Sequence, residues 1–420
     1  MMRESVPRAT RGGLEATATV FGFSAVALQR FGFGEEGSVQ ATTVLAVLLV
    51  VFSLFVFRQR VSISGVLLFG LLLLSGSVSF VLSPNSSFSS FGLLLTTYLL
   101  TIVGPDDDRQ YGRRFMSGVA RACTLGAFLG IVQFILQATG RGYFDPVREL
   151  PSAILRTGFN SYYGTQFSSG VATSFKPNGV LFLEPSFLSL YSAIGLVYIV
   201  AKLFSPDRSW RWWHVLSALV LAGGFAASAS ASGVVVLAFA ALPLAAQFRR
   251  NWLIAAMGVV LLVGLWQAGL FEAVATKTAD VGAGSSTALR LYLPYRILAP
   301  YWLESPLFGS GPGATTEIIS GLEFNGLQAS TLMKALVEYG VVGTVIIFAI
   351  VFVALRRSRA GFALCVAAAA AWLIPAEALL NSTLVMIILF GLATWTNPHR
   401  SRALTLSTPD DVAVGSVERR

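Results

Sequence analysis

Residues 330–355 read STLMKALVEYGVVGTVIIFAIVFVAL, and Arg356, Arg357 and Arg359 follow at once. The run exceeds the ~20 predominantly apolar residues that cross a bilayer as a helix. Lys334 and Glu338 stand inside it one helical turn apart, an expected i, i+4 pair. The arginines behind it mark the end that stays on the basic, cytoplasmic side. The same pattern recurs along the chain and decides the fold class: an all-α polytopic membrane protein.

Composition agrees. The chain has 420 residues, 55% of them hydrophobic and 12% charged, and a mean hydropathy of +0.70. Soluble domains carry about 25% charged residues, so this chain lacks the groups to cover a water-facing surface. Disorder is excluded too, because it needs low hydrophobicity and high charge. Two cysteines, Cys123 and Cys365, exclude a disulfide scaffold or a cysteine-based zinc site. The net charge of +9 is spread in short clusters between apolar runs. That is the pattern of membrane topology and not of a nucleic-acid groove.

Twelve runs are expected to span the membrane: 14–33, 38–57, 61–82, 88–104, 115–139, 179–201, 212–229, 232–248, 252–270, 330–355, 361–376 and 382–396. With the N-terminus placed in the cytoplasm, the inside segments hold twenty of the 30 basic residues, and every short inside loop is basic. Both termini are then cytoplasmic. Alternatively, residues 1–27 form a signal peptide ending in Ala25-Val26-Ala27, which leaves the remaining topology unchanged. Residues 1–402 read as one membrane domain, and 403–420 as a polar, disordered cytoplasmic tail. No internal repeat relates the two halves.

Two outer loops are long, 140–178 and 271–329. Long loops of mixed composition between compact elements are commonly functional. All seven basic residues assigned outside fall in them: Arg141, Arg148, Arg156, Lys176, Lys277, Arg290 and Arg296. Long loops escape the positive-inside rule, which accounts for any one of these. Collectively they suit a lipid diphosphate, because guanidinium groups grip phosphate with paired hydrogen bonds. The stretch Ser286–Leu303, STALRLYLPYRILAPYWL, is apolar and aromatic and is broken by Pro294 and Pro300. Short helices lying on the bilayer are expected there, as a platform for a lipid carrier or as a plain anchor.

Glu184 stands in GVLFLEPSFLSLY, five residues into an apolar run, with Pro185 next. A carboxylate costs about 2.5–3.5 kcal/mol at the bilayer centre and less near its edge. Proline either starts or kinks a helix there. Glu184 is therefore either a functional acid or the partner of an outer-loop arginine. Asp145, Glu149, Glu272, Asp280, Glu304, Glu317, Glu323 and Glu377 are expected to be solvated loop acids. The two histidines, His214 and His399, map to the cytoplasmic side, so a base at the outer face must be something else. Gly309-Ser310-Gly311-Pro312-Gly313 is expected to be an outer turn, with no strand before it to make a nucleotide loop.

Four segments in order resemble the O-antigen polymerase and O-antigen ligase superfamily, over roughly residues 120–355. They are FKPNGVLFLEPSFLSL (175–190), SASASGVVVL (228–237), TALRLYLPYRIL (287–298) with SPLFGSGPG (305–313), and ASTLMKALVEYGVVG (329–343). The second lacks the arginine of the family's Ser-Arg-Gly turn, and Ala329 stands where ligases carry a histidine. The resemblance implies glycosyl transfer outside the membrane from an undecaprenyl-diphosphate-linked oligosaccharide, with no cofactor, nucleotide sugar or metal. It implies a chain-length regulator and a flippase as partners, and neither implies nor needs nucleic acid. Joined to the residue reading, it makes Glu184 the base for the acceptor hydroxyl and Lys176, Arg290, Arg296 and Arg156 the cations on the diphosphate. Without the ligase histidine, a polymerase on the outer face of a bacterial inner membrane is the expected activity. A ligase or oligosaccharyltransferase of the same superfamily stays open. So does a lipid-linked oligosaccharide flippase, which twelve helices with internal termini also fit.

Overall fold

The computed structural model describes residues 8–33, 39–84, 86–104, 111–156, 167–169, 172–174, 176–203, 212–228, 230–247, 293–322, 329–358, 360–373 and 383–395. Among them are thirteen α-helices. They are α1 (Arg8–Ala27), α2 (Ala41–Val51), α3 (Ile63–Leu82), α4 (Phe88–Tyr98), α5 (Tyr111–Ala138), α6 (Pro185–Leu203), α7 (Trp212–Ser228) and α8 (Ala231–Gln247). After them come α9 (Leu293–Glu304), α10 (Ala314–Ser320), α11 (Thr331–Arg357), α12 (Phe362–Leu373) and α13 (Thr383–Ala393). The described residues also form two small antiparallel hairpins, β1 (Gly32–Phe33) with β2 (Val39–Gln40) and β3 (Phe167–Ser169) with β4 (Ala172–Ser174).

Four of the described helices, α3, α5, α6 and α11, are long and apolar enough to cross a membrane. The described residues are thus predominantly helical, as in an all-α membrane protein. The expected run 252–270, the tail 403–420 and Glu323 lie outside the described residues. The other expected runs coincide with helices, several of them shorter than a full crossing. Serine caps explain three sharp starts: Ser62, Ser87 and Ser330 accept the backbone N–H of Gly65, Ser90 and Met333.

Small residues let the helices approach. Helix α1 lies along α5, and a Cβ on Gly22 or Gly118 would strike the Phe115 or Thr19 carbonyl oxygen. Close backbone approach of this kind is how helices associate where lipid removes the hydrophobic drive. Helix α6 packs on both α7 and α8; α6 and α7 also pack on α5, and α6 and α8 on α12. Much of α3 carries exposed leucine and valine, as a lipid-facing helix does.

Two segments depart from the expected picture. The run expected from 179 becomes helical only at Pro185, and residues 176–184 form a buried non-helical loop. Second, α11 breaks at Gly340, whose φ of 63° and ψ of −169° belong to a region essentially reserved for glycine. The break strips backbone partners from both sides of it. The glycine turn after α9 supplies them. Ser310 and Gly311 donate to the Val337 and Glu338 carbonyls at 2.6 and 3.1 Å, while Val341 and Val342 donate to Pro306 and Leu307 at 2.8 and 3.2 Å. The segment 305–313 is therefore an inserted element docked in a helix, and not the free outer turn expected from sequence.

Helix α9 also corrects an expectation. Residues 286–292 lie outside the described residues, but 293–304 form one helix through Pro300. Its buried side, with Pro294 and Leu298, meets Ala329, Met333 and Val337 at the start of α11. It is packed on the bundle, not only laid on a bilayer.

Lys334 and Glu338 do pair, at 3.5 Å, with 1% and 0% of their side chains exposed. Removing one member of such a buried pair leaves a stranded charge and costs about 3–5 kcal/mol, whereas apolar replacement of both is often neutral. Lys334→Met is accordingly expected to lower the unfolding midpoint in detergent sharply, and Lys334→Met with Glu338→Leu to recover most of the loss. Gly340→Ala should also destabilise, since its Cβ would strike the Leu307 carbonyl. Gly70→Ala, on the open face of α3 with nothing within 4 Å, should gain up to about 1 kcal/mol. Both series are read by thermal loss of helix signal.

Candidate functional site

The loop that carries Glu184 runs Lys176-Pro-Asn-Gly-Val-Leu-Phe-Leu-Glu184. Its local chemistry forbids a helix at the start. Pro177 holds Lys176 extended, and Asn178-Gly179 favours a turn. Gly179 (φ 67°) and Val180 (φ 62°) are both left-handed. For a β-branched residue that conformation costs roughly 1–2 kcal/mol and survives only where the surroundings over-determine it.

The surroundings do so. From α5, buried Gln133 accepts the Gly179 N–H at 2.8 Å and donates to the Phe144 carbonyl at 2.8 Å and to Asn178 Oδ1 at 3.1 Å. Asn178 Oδ1 also accepts the Val180 N–H at 3.1 Å and the Tyr143 hydroxyl at 2.7 Å. From the end of α1, Gln29 accepts the Leu183 N–H at 3.3 Å. Arg30 Nη1 donates to the Val180 carbonyl and to Asp145 Oδ1, each at 2.7 Å. The Arg30 and Asp145 side chains are only 4% and 5% exposed. Burial, with the Asp145 carboxylate alongside, raises the Tyr143 phenol above its ordinary value, and Arg30 opposes that. Below the loop, Phe182, Tyr191 and Phe187 form a stacked column with centroids 5.6 and 6.1 Å apart.

Glu184 closes the loop. It is buried, at 6% exposure, and directly precedes the first residue of α6. Its carbonyl accepts from Phe187 and Leu188 at 3.1 and 3.2 Å, and its Oε2 accepts the Ser186 hydroxyl at 2.7 Å. Pro185 therefore starts the helix, and Glu184 occupies its N-cap, where the helix dipole favours a negative group. The carboxylate sits at a helix end, not five residues into a span.

The predicted cations separate into groups. Lys176 is half-buried at the loop's other end. Arg156 is buried, and its N–H donates to the Arg30 carbonyl at 3.0 Å, beside a bridge between Phe31 and Leu155. These three, Lys176, Arg156 and Glu184, belong to one assembly with the end of α1. Arg296 belongs to another. It is exposed on α9, which packs against α11, and its neighbour Tyr295 accepts the Ser330 hydroxyl at 3.1 Å. Arg290 lies outside the described residues. Asp145, expected to be a solvated acid, is instead buried against Arg30.

The sequence reading missed Arg30, Gln29, Gln133 and Asn178 as site residues. Their signal was present: each is a polar side chain inside or at the edge of an apolar run, where polarity is costly enough to demand a reason. Chemically, the assembly fixes a carboxylate at one end of the loop and an ammonium at the other, and the backbone of buried Arg156 is bonded to that of Arg30. Such a carboxylate can accept a proton, and such an ammonium can bind an anion. In comparisons with known proteins, the chain matches no protein-family model and no curated sequence.

Proposed function

We propose that this protein is a membrane glycosyltransferase of the O-antigen polymerase type. It joins oligosaccharides carried on undecaprenyl diphosphate at the outer face of a bacterial inner membrane, with both termini in the cytoplasm. The observation that carries the reading is the over-determined loop 176–184, which holds buried Glu184 at one end and Lys176 at the other. The resemblance of the 175–190 segment to the polymerases supports the same place.

In this mechanism an acceptor hydroxyl attacks the anomeric carbon of the donor. The new C–O bond forms as the bond to the lipid diphosphate breaks, and its electron pair leaves on the diphosphate. Glu184 takes the hydroxyl proton, as a carboxylate must where histidine is absent. Negative charge grows on the leaving group; Lys176 and Arg156 are assigned to it from the loop's own assembly, and Arg290 and Arg296 are assigned to it from the second long loop. One preorganised donor to such a charge is worth about 100- to 1000-fold in rate. Burial of the loop excludes water that would hydrolyse the donor. A chain-length regulator and a flippase are the partners this activity calls for.

A flippase reading has one observation in its favour, the break of α11 beside the Lys334–Glu338 pair. Broken helices with buried charge are typical of transporters. The paired halves that usually accompany them are missing from the sequence. A ligase reading has less support, since Ala329 stands in place of the ligase histidine.

Glu184→Gln keeps shape and loses the proton acceptor. It is expected to leave single repeat units where the parent makes long chains. A ligase defect would leave long polymer on the carrier, and a flippase defect would leave donor at the inner face. Arg296→Ala should lower polymer yield about 100-fold or more, and Arg296→Lys should recover part, because lysine keeps charge and loses the fork. Wild-type chain lengths in Glu184→Gln would remove Glu184 from the mechanism. Topology is checked separately: Ser168→Cys should react with a membrane-impermeant thiol reagent in intact cells.

A further inference from the structure

The left-handed Val180 has a consequence beyond placing a loop. A valine there strains the chain, and a glycine would not. The strain works to release the loop, and something must hold it. Most of the contacts around it do not act on the Val180 peptide carbonyl. Asn178 and Gln133 bind N–H groups before and at Val180, and Gln29 binds Leu183 beyond it. The Val180 carbonyl is taken by Arg30, and the same nitrogen is braced by Asp145 on the far side, both at 2.7 Å. The Arg30 backbone is itself fixed, because its carbonyl accepts the Arg156 N–H at 3.0 Å. Arg30 so ties together the end of α1, the start of the first outer loop and the end of that loop.

We propose that Arg30, braced by Asp145, is the positioning residue that clamps Val180 in its strained conformation and thereby sets Glu184 and Lys176 in register. The inference rests on the reading that loop 176–184 is the reactive site. Arg30 touches no reacting group in this scheme. Its guanidinium charge is neutralised by Asp145, so it is not one more cation for a diphosphate. It acts through the backbone, four residues before Glu184.

This makes a prediction that ordinary structural support does not. If Arg30 only stabilises the bundle, changing Val180 will not repair its loss. If Arg30 opposes the strain of Val180, removing the strain will. Arg30→Gln is expected to free the loop, and adding Val180→Gly to restore it, because glycine takes φ near +60° without penalty.

The test has two readouts, in the full-length protein in detergent and in membranes. First, Leu181→Cys is placed in the loop, in a chain whose own Cys123 and Cys365 are buried. Labelling by a soluble maleimide should rise roughly 5- to 30-fold with Arg30→Gln, the shift expected from releasing strain of this size. It should fall most of the way back with Val180→Gly added. Second, polymer formation without the cysteine should drop with Arg30→Gln through turnover more than through KM, and recover in the double variant. Should Arg30→Gln fail to insert, Asp145→Asn serves in its place, since it removes the brace and keeps the shape. Unchanged labelling, or no return with Val180→Gly, would overturn the clamp. Altered labelling with full polymer formation in Arg30→Gln, while Glu184→Gln is inactive, would overturn the positioning role. Full activity of Glu184→Gln with clamp-like labelling would instead overturn the functional reading and leave the clamp standing.

Discussion

A backbone amide or carbonyl without a partner costs several kcal/mol where water is absent, and most of this protein's irregular architecture follows from that constraint. Helices meet it internally. Two described stretches that leave helical geometry among buried neighbours borrow partners from elsewhere. At Gly340 the segment 305–313 slides in and takes up four orphaned groups, two carbonyls and two amides. At 176–184 the backbone supplies one such bond, from the Leu181 N–H to the Gly179 carbonyl at 2.6 Å. Side chains supply the others: Gln29, Arg30, Gln133 and Asn178 bind the amides of Gly179, Val180 and Leu183 and the carbonyl of Val180. Backbone satisfaction by backbone needs only glycine for close approach. Satisfaction by side chains needs particular polar residues buried at particular places, and that is a stronger commitment of sequence.

The helices were legible because length and apolarity alone report them. Their ends were less so. Residues 179–184 belong to the same apolar run as α6, and hydropathy does not register that Pro185 sets the first turn or that Val180 is left-handed. Gly340 is equally silent, as one glycine among several in a run that is helical by every local measure. The arginine-bearing stretch before α11 was read as interfacial because its prolines looked like breaks. In the structure Pro294 falls in the first turn, where a missing N–H costs nothing, and Pro300 is carried inside the helix.

The site was half legible. Glu184 and Lys176 announce themselves as charges in or beside an apolar run. Arg30 did too, but its meaning depends on Asp145, 115 residues away. Pairing over such a separation is a property of the packed bundle, and no local pattern holds it. The same separation explains why Asp145 read as a solvated acid. It follows a glycine- and tyrosine-rich turn, and only α1 lying against α5 brings Arg30 over it.

The Lys334–Glu338 and Arg30–Asp145 pairs, both buried, differ in a way that bears on their roles. Lys334 and Glu338 lie on one helix at i, i+4, so helix formation alone brings them together. Each can be replaced along with the other without moving the backbone. Arg30 and Asp145 lie on separate segments and share their nitrogen with a third, through the Val180 carbonyl. Exchanging that pair for apolar residues would leave the carbonyl unbonded even if the volume were filled. The first pair removes its own charge from the membrane. The second uses its charge to hold backbone, and it does so at the residue that resists its conformation most. A glycine at 180 would have let the loop form without the clamp. Valine makes it dependent on the clamp, so the loop is ordered only once α1, the 139–145 turn and α5 have assembled around it.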